Sequence, residues 1–348
     1  MEKKYLIIYH KEDNDGLFSG ALMKLYLVNK LNVDEDNIDL LPSTYGTLDE
    51  FKKAYSNIDD LKALYDNIIM TDISFNDWKY MKKLYDEYGS NLVWCDHHAP
   101  IIKCSIDNNF DDIPGVRDTG RSAILCVWKY LYDVFDEEYN KPKESSGIPE
   151  LLRILSSWDS FTYEKNGYTL EYVHNVNVGV NATCNLDFNK VYNLIEKDTW
   201  SFIFNDNDFI DDLYKAGKTI NDYQAYVMAT LVRASGDNTF VLKYKNEGMQ
   251  EKTVTRKCCA LFLQGATNSL MFESLKKTNP DIKNGVVFKR NKNGNWVMSL
   301  YNIYTEDTFH CGDFCKKYYN GGGHVGAAGC TISEKDFLKI LKNKTIGL

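Results

Sequence analysis

Aspartate and histidine gather in four tight clusters along this chain of 348 residues. His10-Lys11-Glu12-Asp13-Asn14-Asp15-Gly16 sets two carboxylates behind an imidazole. Asp72 stands directly after an apolar run, Asp96-His97-His98 stands after another, and Asp159 follows Trp158. All of these are hard or borderline donors. Carboxylates joined by one or two imidazoles suit Mn²⁺, Mg²⁺ or Fe²⁺ better than a metal that seeks sulfur. Two ions about 3.5–4 Å apart need a bridging carboxylate, and such a pair turns water into a nucleophile while clamping phosphate oxygens. Each cluster also has an ordinary reading: 13–16 as a turn, Asp72 or Ser74 as a helix cap, Asp159 as a solvated helix end. Their conjunction favours the metal. Four of the six histidines (His10, His97, His98 and His324) fall in these clusters or in a glycine loop, and His174 and His310 are assigned to structure. That loop is Gly321-Gly322-Gly323-His324, followed by Gly326-Ala327-Ala328-Gly329. Consecutive glycines let backbone N–H groups approach an anion, and a histidine among them can donate to a phosphate. Alone, the loop reads equally as a hinge.

Elements that would position these residues are visible as hydrophobic patterning. Apolar runs at 5–9, 67–70 and 91–95 read as short buried strands, and 17–30, 75–88, 122–135 and 151–158 as helices. Strands separated by helices imply parallel βαβ units, in which ligands bind beyond the carboxyl ends of the strands. The first three clusters sit at those ends. Arg117 and Arg121 precede the helix at 122–135, whose N-terminus is either a phosphate contact or an ordinary cap. From 188 to 235 the pattern is mostly helical, and Ser235-Gly236-Asp237-Asn238 is a turn signal. Strand-like runs follow at 240–242, 285–288 and 296–300, with a hairpin turn at 290–295 between the last two. The expected fold is α/β: a parallel-sheet domain over 1–190, a helical connector over 191–235 and a smaller α/β domain over 236–348.

Composition narrows the function. Apolar and aromatic residues make up 44% and charged residues 26%, enough for real cores and against wholesale disorder. The net charge of −8 argues against a broad binder of long duplex DNA, which needs a positive face. No apolar stretch is long enough for a membrane span, and residues 1–10 lack the features of a signal peptide. Nine scattered cysteines, several within apolar runs, read as reduced thiols of a cytoplasmic protein. Cys311-Gly312-Asp313-Phe314-Cys315 is not spaced as a zinc site.

In order and spacing, these motifs resemble the DHH phosphoesterase superfamily with a C-terminal DHHA1-type domain, over nearly the whole chain. Asp96-His97-His98 matches the name-giving motif, and Gly321-Gly322-Gly323-His324 with Ala327-Ala328-Gly329 resembles the DHHA1 signature. The segment 296–329 is most similar to the oligoribonuclease (nanoRNase) branch. The resemblance implies two Mn²⁺ ions, with Mg²⁺ or Fe²⁺ as substitutes. His10, Asp13 and Asp72 would hold one; Asp15, Asp72, His97 and Asp159 would hold the other, Asp72 bridging. Asp96 would orient neighbouring ligands, and His98 would stand near the leaving group. Gly321, Gly322, Gly323 and His324 would bind the substrate's phosphate. The gap between His10 and Asp13 departs from the family pattern. The expected activity is hydrolysis of short RNA or DNA oligonucleotides. A soluble phosphodiesterase for a cyclic or linear dinucleotide is the alternative, and a catalytically silent nucleotide-binding protein is the reading from another class. Oligomeric state, a homo-oligomer included, is left open.

Overall fold

Apolar side chains alternate along the strands of the first half, and each face of the resulting sheet takes its own layer of helices. The computed structural model describes residues 3–135, 148–196, 207–234, 238–245, 252–264, 269–304 and 306–348. The chain divides into two compact units, Met1–Ile220 and Asn221–Leu348. In the first, β1 (Tyr5–His10) leads through α1 (Asn14–Asn29) to β2 (Ile38–Ser43). Then α2 (Tyr45–Ala54) and α3 (Ile58–Lys62) lead to β3 (Asn67–Thr71), and α4 (Trp78–Tyr88) to β4 (Leu92–Cys95). Helices α5 (Ala99–Asp107), α6 (Ala123–Phe135), α7 (Glu150–Asp159), α8 (Leu170–Cys184) and α9 (Phe188–Glu196) follow. The division at Ile220 falls within α10 (Asn207–Ala234).

The four strands pair in parallel in the order β2-β1-β3-β4. Ile7, Tyr9, Ile69 and Cys95 pack with Phe18 of α1, Val127 of α6, Leu151 of α7 and Val176 of α8. Their alternates Leu6, Ile8, Ile68, Met70 and Trp94 pack with Met81 and Leu84 of α4 and Ile101 of α5. Both faces are thus covered, as a parallel sheet requires. From β1 the chain moves to β2 on one side, then returns to place β3 on the other. Ligands bind at such a reversal, beyond the carboxyl ends. The register aligns those ends: His10 lies opposite Ser43, Tyr9 opposite Thr71, and Thr71 opposite Cys95.

Three local details differ from the sequence expectation. Helix α1 starts at Asn14, capped by Asp13, whose Oδ1 accepts from Gly16 N–H at 3.0 Å, so the loop after β1 is shorter than 10–16. Helix α4 starts at Trp78 with Asp77 as its cap, accepting from Lys79 and Tyr80 N–H. Neither Asp72 nor Ser74 performs that task. Strand β2 is absent from the expected strands. It is an edge strand that contains Pro42, without a clear period of two.

The second unit is built on a mixed sheet of seven strands in the order β11-β5-β6-β7-β8-β10-β9. These are β5 (Thr239–Lys245), β6 (Thr253–Phe262), β7 (Asn284–Arg290), β8 (Trp296–Asn302), β9 (Gly322–Gly323), β10 (Ala327–Ile332) and β11 (Thr345–Gly347). Helix α11 (Leu275–Thr278) precedes β7, α12 (Cys311–Tyr319) precedes β9, and α13 (Glu334–Asn343) precedes β11. One face of the sheet packs Phe240, Leu242, Val286 and Leu300 against Phe314 of α12 and Phe337 of α13. Cys259, Val287 and Tyr301 on the other face pack with Phe272 and Leu275. The hairpin between β7 and β8 turns at Gly294 (φ +79°). Of the turn signal at 235–238, residues 235–237 lie outside the described residues. No helix among the described residues is long and apolar enough to cross a membrane.

Candidate active site

Side chains from four separate segments of the first unit meet beyond the carboxyl edge of its sheet. His97, just past β4, is the hub. Its Nε2 stands 3.3 Å from Asp72 Oδ1, 3.5 Å from Asp159 Oδ2 and 3.7 Å from Asp15 Oδ2. Asp15 comes from the first turn of α1, Asp72 from the residue after β3, and Asp159 from the last residue of α7. These separations are too long for good hydrogen bonds. They are the separations of donors that share an ion: ligands roughly 2.1 Å from a common centre stand about 3 Å apart at right angles and farther at wider angles. Two overlapping groups result, Asp15–His97–Asp159 and Asp72–His97–His98, each with its donor atoms within 4.8 Å of one another.

Local structure explains how carboxylates are brought so close. Asp72 has φ +57°, a left-handed conformation that Asp adopts more readily than most residues, and its N–H donates to Cys95 O at 3.0 Å. Asp15 is fixed at both oxygens. Ala123 N–H donates to Oδ2 at 2.7 Å and Ile124 N–H to Oδ1 at 2.8 Å, so the N-terminus of α6 spends its free amides on this carboxylate. That helix end is therefore no vacant phosphate site. Gly16 completes the arrangement, since a Cβ there would stand 2.1 Å from His10 O; only glycine lets α1 start against the end of β1.

Burial makes this cluster electrostatically costly. Asp72 is 2% exposed, and burial, then the charges of Asp15, Asp13, Asp96 and Asp159, hold its pKa well above the carboxylate range. Burial also raises Asp15, against the opposing charge of His97 and the amide of Ile124. Asp159 is pushed up to about 8 by burial, then by Asp15 and Asp13. Asp72 Oδ1 and Asp159 Oδ2 are buried with no hydrogen-bond partner. Orphaned carboxylate oxygens facing one imidazole need a counter-charge, and the donor set of three carboxylates and a histidine fits a hard divalent cation.

Asp96 is treated differently. It is fully buried, yet its carboxylate accepts from Trp94 Nε1 at 2.9 Å and from the backbone N–H groups of His97 at 2.7 Å and His98 at 3.2 Å. The ring Nδ1 of His98 lies 2.7 Å from Asp96 Oδ1. Burial works to raise the pKa of Asp96, but the hydrogen bonds from His98 and Trp94 outweigh it and the net direction is down. An ionised Asp96 can only accept, so His98 Nδ1 carries a proton there and Nε2 is the free nitrogen. That hydrogen bond to Asp96 raises His98 above an ordinary imidazole. The motif is itself braced by segment 114–118, which runs beside β4: Trp94 N–H donates to Pro114 O at 2.7 Å and Asp96 N–H to Val116 O at 3.1 Å. Gly115 (φ +122°) permits it, since a Cβ would stand 2.1 Å from Trp94 O. Arg117 Nη1 donates to Trp94 O at 2.9 Å and its guanidinium lies over the Trp94 ring, which spends it on the scaffold.

His10 and Asp13 stand apart from the two groups. They face each other at 3.6 Å, and His10 Nδ1 is buried without a partner. In the second unit, Gly322 and Gly323 pair with β10, and Gly321 N–H donates to Cys315 O at 3.0 Å. A Cβ on Gly321 would stand 2.4 Å from Cys330 Cβ, and Gly323 (φ +143°) is as tightly placed. Gly322, Gly323 and His324 are the exposed members of the loop. His310 caps α12, accepting from Asp313 N–H, and His174 packs on Trp158 with ring centroids 4.8 Å apart, its pKa lowered by burial.

No family model matches the sequence, and no curated protein matches it. Solved structures similar to the chain include an uncharacterized protein from Helicobacter pylori G27, 17% identical, covering 97% of each chain with a TM-score of 0.40. A pGpG-specific phosphodiesterase, PggH, from Vibrio cholerae is 14% identical, covering 98% of this chain and 97% of that one with a TM-score of 0.47. An exopolyphosphatase-related protein from Bacteroides fragilis is 14% identical, covering 99% and 91% with a TM-score of 0.39. All three likenesses are distant.

Proposed function

We propose that the chain is a divalent-metal phosphodiester hydrolase of the DHH type, acting on short oligonucleotides or dinucleotides. The observation that carries this reading is the approach of Asp15, Asp72 and Asp159 to His97 Nε2, with buried carboxylate oxygens left unpartnered. Asp15, Asp72, His97 and Asp159 would hold one ion, and His10 and Asp13 would hold a second with Asp72 between them. Bound there, divalent cations supply charge neutralisation at a phosphoryl oxygen and a water acidic enough to attack at neutral pH.

The remaining work falls to the chain. Asp96 fixes the His98 ring through Nδ1, leaving Nε2 to donate to the leaving oxygen. A histidine whose proton is held more firmly than usual suits that donor role. Gly322, Gly323 and His324 are the exposed groups proposed to contact the substrate's phosphate in the second unit. The net charge of −8 agrees with recognition by metals and a few local donors instead of a long basic groove.

The direct test is to incubate the protein with Mn²⁺ and a labelled linear dinucleotide, a five-mer and a cyclic dinucleotide. Cleavage of the linear substrates supports the oligonucleotide reading, and cleavage of the cyclic one alone moves the substrate to a cyclic signal. Failure to cut any of them, with metal bound, points to a silent binding protein. Asp96→Asn is expected to lower turnover about 10–100-fold while metal content stays within about twofold, because Asp96 acts through His98 without binding the ion. Full turnover in that variant would remove Asp96 from the mechanism.

A further inference from the structure

The carboxyl end of β2 also faces this edge of the sheet, and it delivers a tyrosine. Tyr45 is the first residue of α2. A reciprocal cap fixes its backbone: Thr44 Oγ1 accepts from Thr47 N–H, and Thr47 Oγ1 accepts from Thr44 N–H at 2.8 Å. The ring centroid lies 6.5 Å from that of His10 and 6.2 Å from that of His98, edge-on to the latter at 88°. The residue is 37% exposed, and its hydroxyl has no hydrogen-bond partner among the described residues. Other tyrosines are spent on the fold: Tyr301 is buried, Tyr318 accepts from Lys245 N–H at 3.0 Å, and Tyr319 accepts from Gly347 N–H at 2.8 Å.

We propose that Tyr45 is a substrate-contacting residue whose hydroxyl donates a hydrogen bond to the phosphate being cleaved. Both imidazoles lie close to the ring, and the polar group it offers a ligand is the hydroxyl. A neutral donor suits the place, beside a crowd of carboxylates that would repel an anion. It adds polarity toward phosphate without requiring a buried charge. Its position on a capped helix start, and not on a mobile tip, keeps the donor pre-aimed.

This proposal rests on the phosphodiester hydrolase reading, so wild-type activity on the linear dinucleotide with Mn²⁺ comes first; inactivity there is a failure of that reading. With an active wild type, Tyr45→Phe and Tyr45→Leu are compared. Tyr45→Phe is expected to lower kcat about 10–100-fold with KM changed less than about threefold, since the lost donor serves the transition state more than the ground state. Tyr45→Leu should fall to about the same level, and metal content and thermal midpoint should match the wild type in both. Wild-type kcat in Tyr45→Phe overturns the proposal. If Tyr45→Leu then raises KM alone, the ring serves as a stacking surface and the hydroxyl does nothing.

Discussion

Asp72→Asn is expected to abolish turnover, by at least about 10³-fold, while making the metal-free protein more stable. Loss of a bridging carboxylate removes a ligand from both proposed ions at once. The stability gain follows from the site itself. Asp72 is buried against Asp15 and Asp159, and its Oδ1 has no partner. Without a cation, ionising it costs desolvation and like-charge repulsion. Asparagine keeps the volume, tolerates φ +57° as readily as aspartate, and carries no charge. Relief of repulsion at a functional site is worth about 0.5–2 kcal/mol. Thermal unfolding in chelator should therefore show a higher midpoint for the variant, and Mn²⁺ should stabilise it far less than the wild type. Near-wild-type turnover, or a variant less stable than the wild type in chelator, would refute the bridging role.

In chelator the wild-type protein is expected to lose stability as pH rises from about 5 to about 8, and excess divalent cation should flatten or reverse that slope. The folded state holds protons on Asp72 and Asp159 that the unfolded chain releases near pH 4. A folded state that binds more protons is favoured at low pH, and the advantage disappears as pH climbs through the folded-state value, about 8 for Asp159. His98, raised by Asp96, contributes with the same sign. Asp96 is shifted downward and acts oppositely, but only where carboxylates protonate, at the acid end. The expected loss is on the order of 3 kcal/mol, read as a fall in the denaturant midpoint between pH 5 and pH 8. A metal-free protein that gains stability over that range would show that the carboxylates are not forced together.

The parts of this arrangement legible in the sequence are those written in local pattern. Short apolar runs ending at His10, Thr71 and Cys95 placed three clusters at strand ends, and period-two alternation is what the two faces of the first sheet show. The conversion of Asp13 into a helix cap was hidden because 13–16 reads equally as turn and helix start. Strand β2 and Tyr45 were missed because Pro42 and a weak alternation mask an edge strand. The Thr44–Thr47 cap directly after it was the available clue. Contacts with long sequence separation left no trace: the two amides of α6 on Asp15 span 108 and 109 residues, and the brace at 114–118 follows from no periodicity.

The grip of α6 on Asp15 has a consequence for ion choice. A carboxylate pinned at both oxygens by amides at 2.7 and 2.8 Å cannot swing outward to accept a wider coordination sphere. Calcium bonds oxygen at about 2.3–2.6 Å and thrives on yielding ligands, whereas magnesium and its near equals want a tight, fixed geometry. In the proposed site Asp15 would therefore work as a gauge as well as a donor, setting a size limit before any substrate arrives.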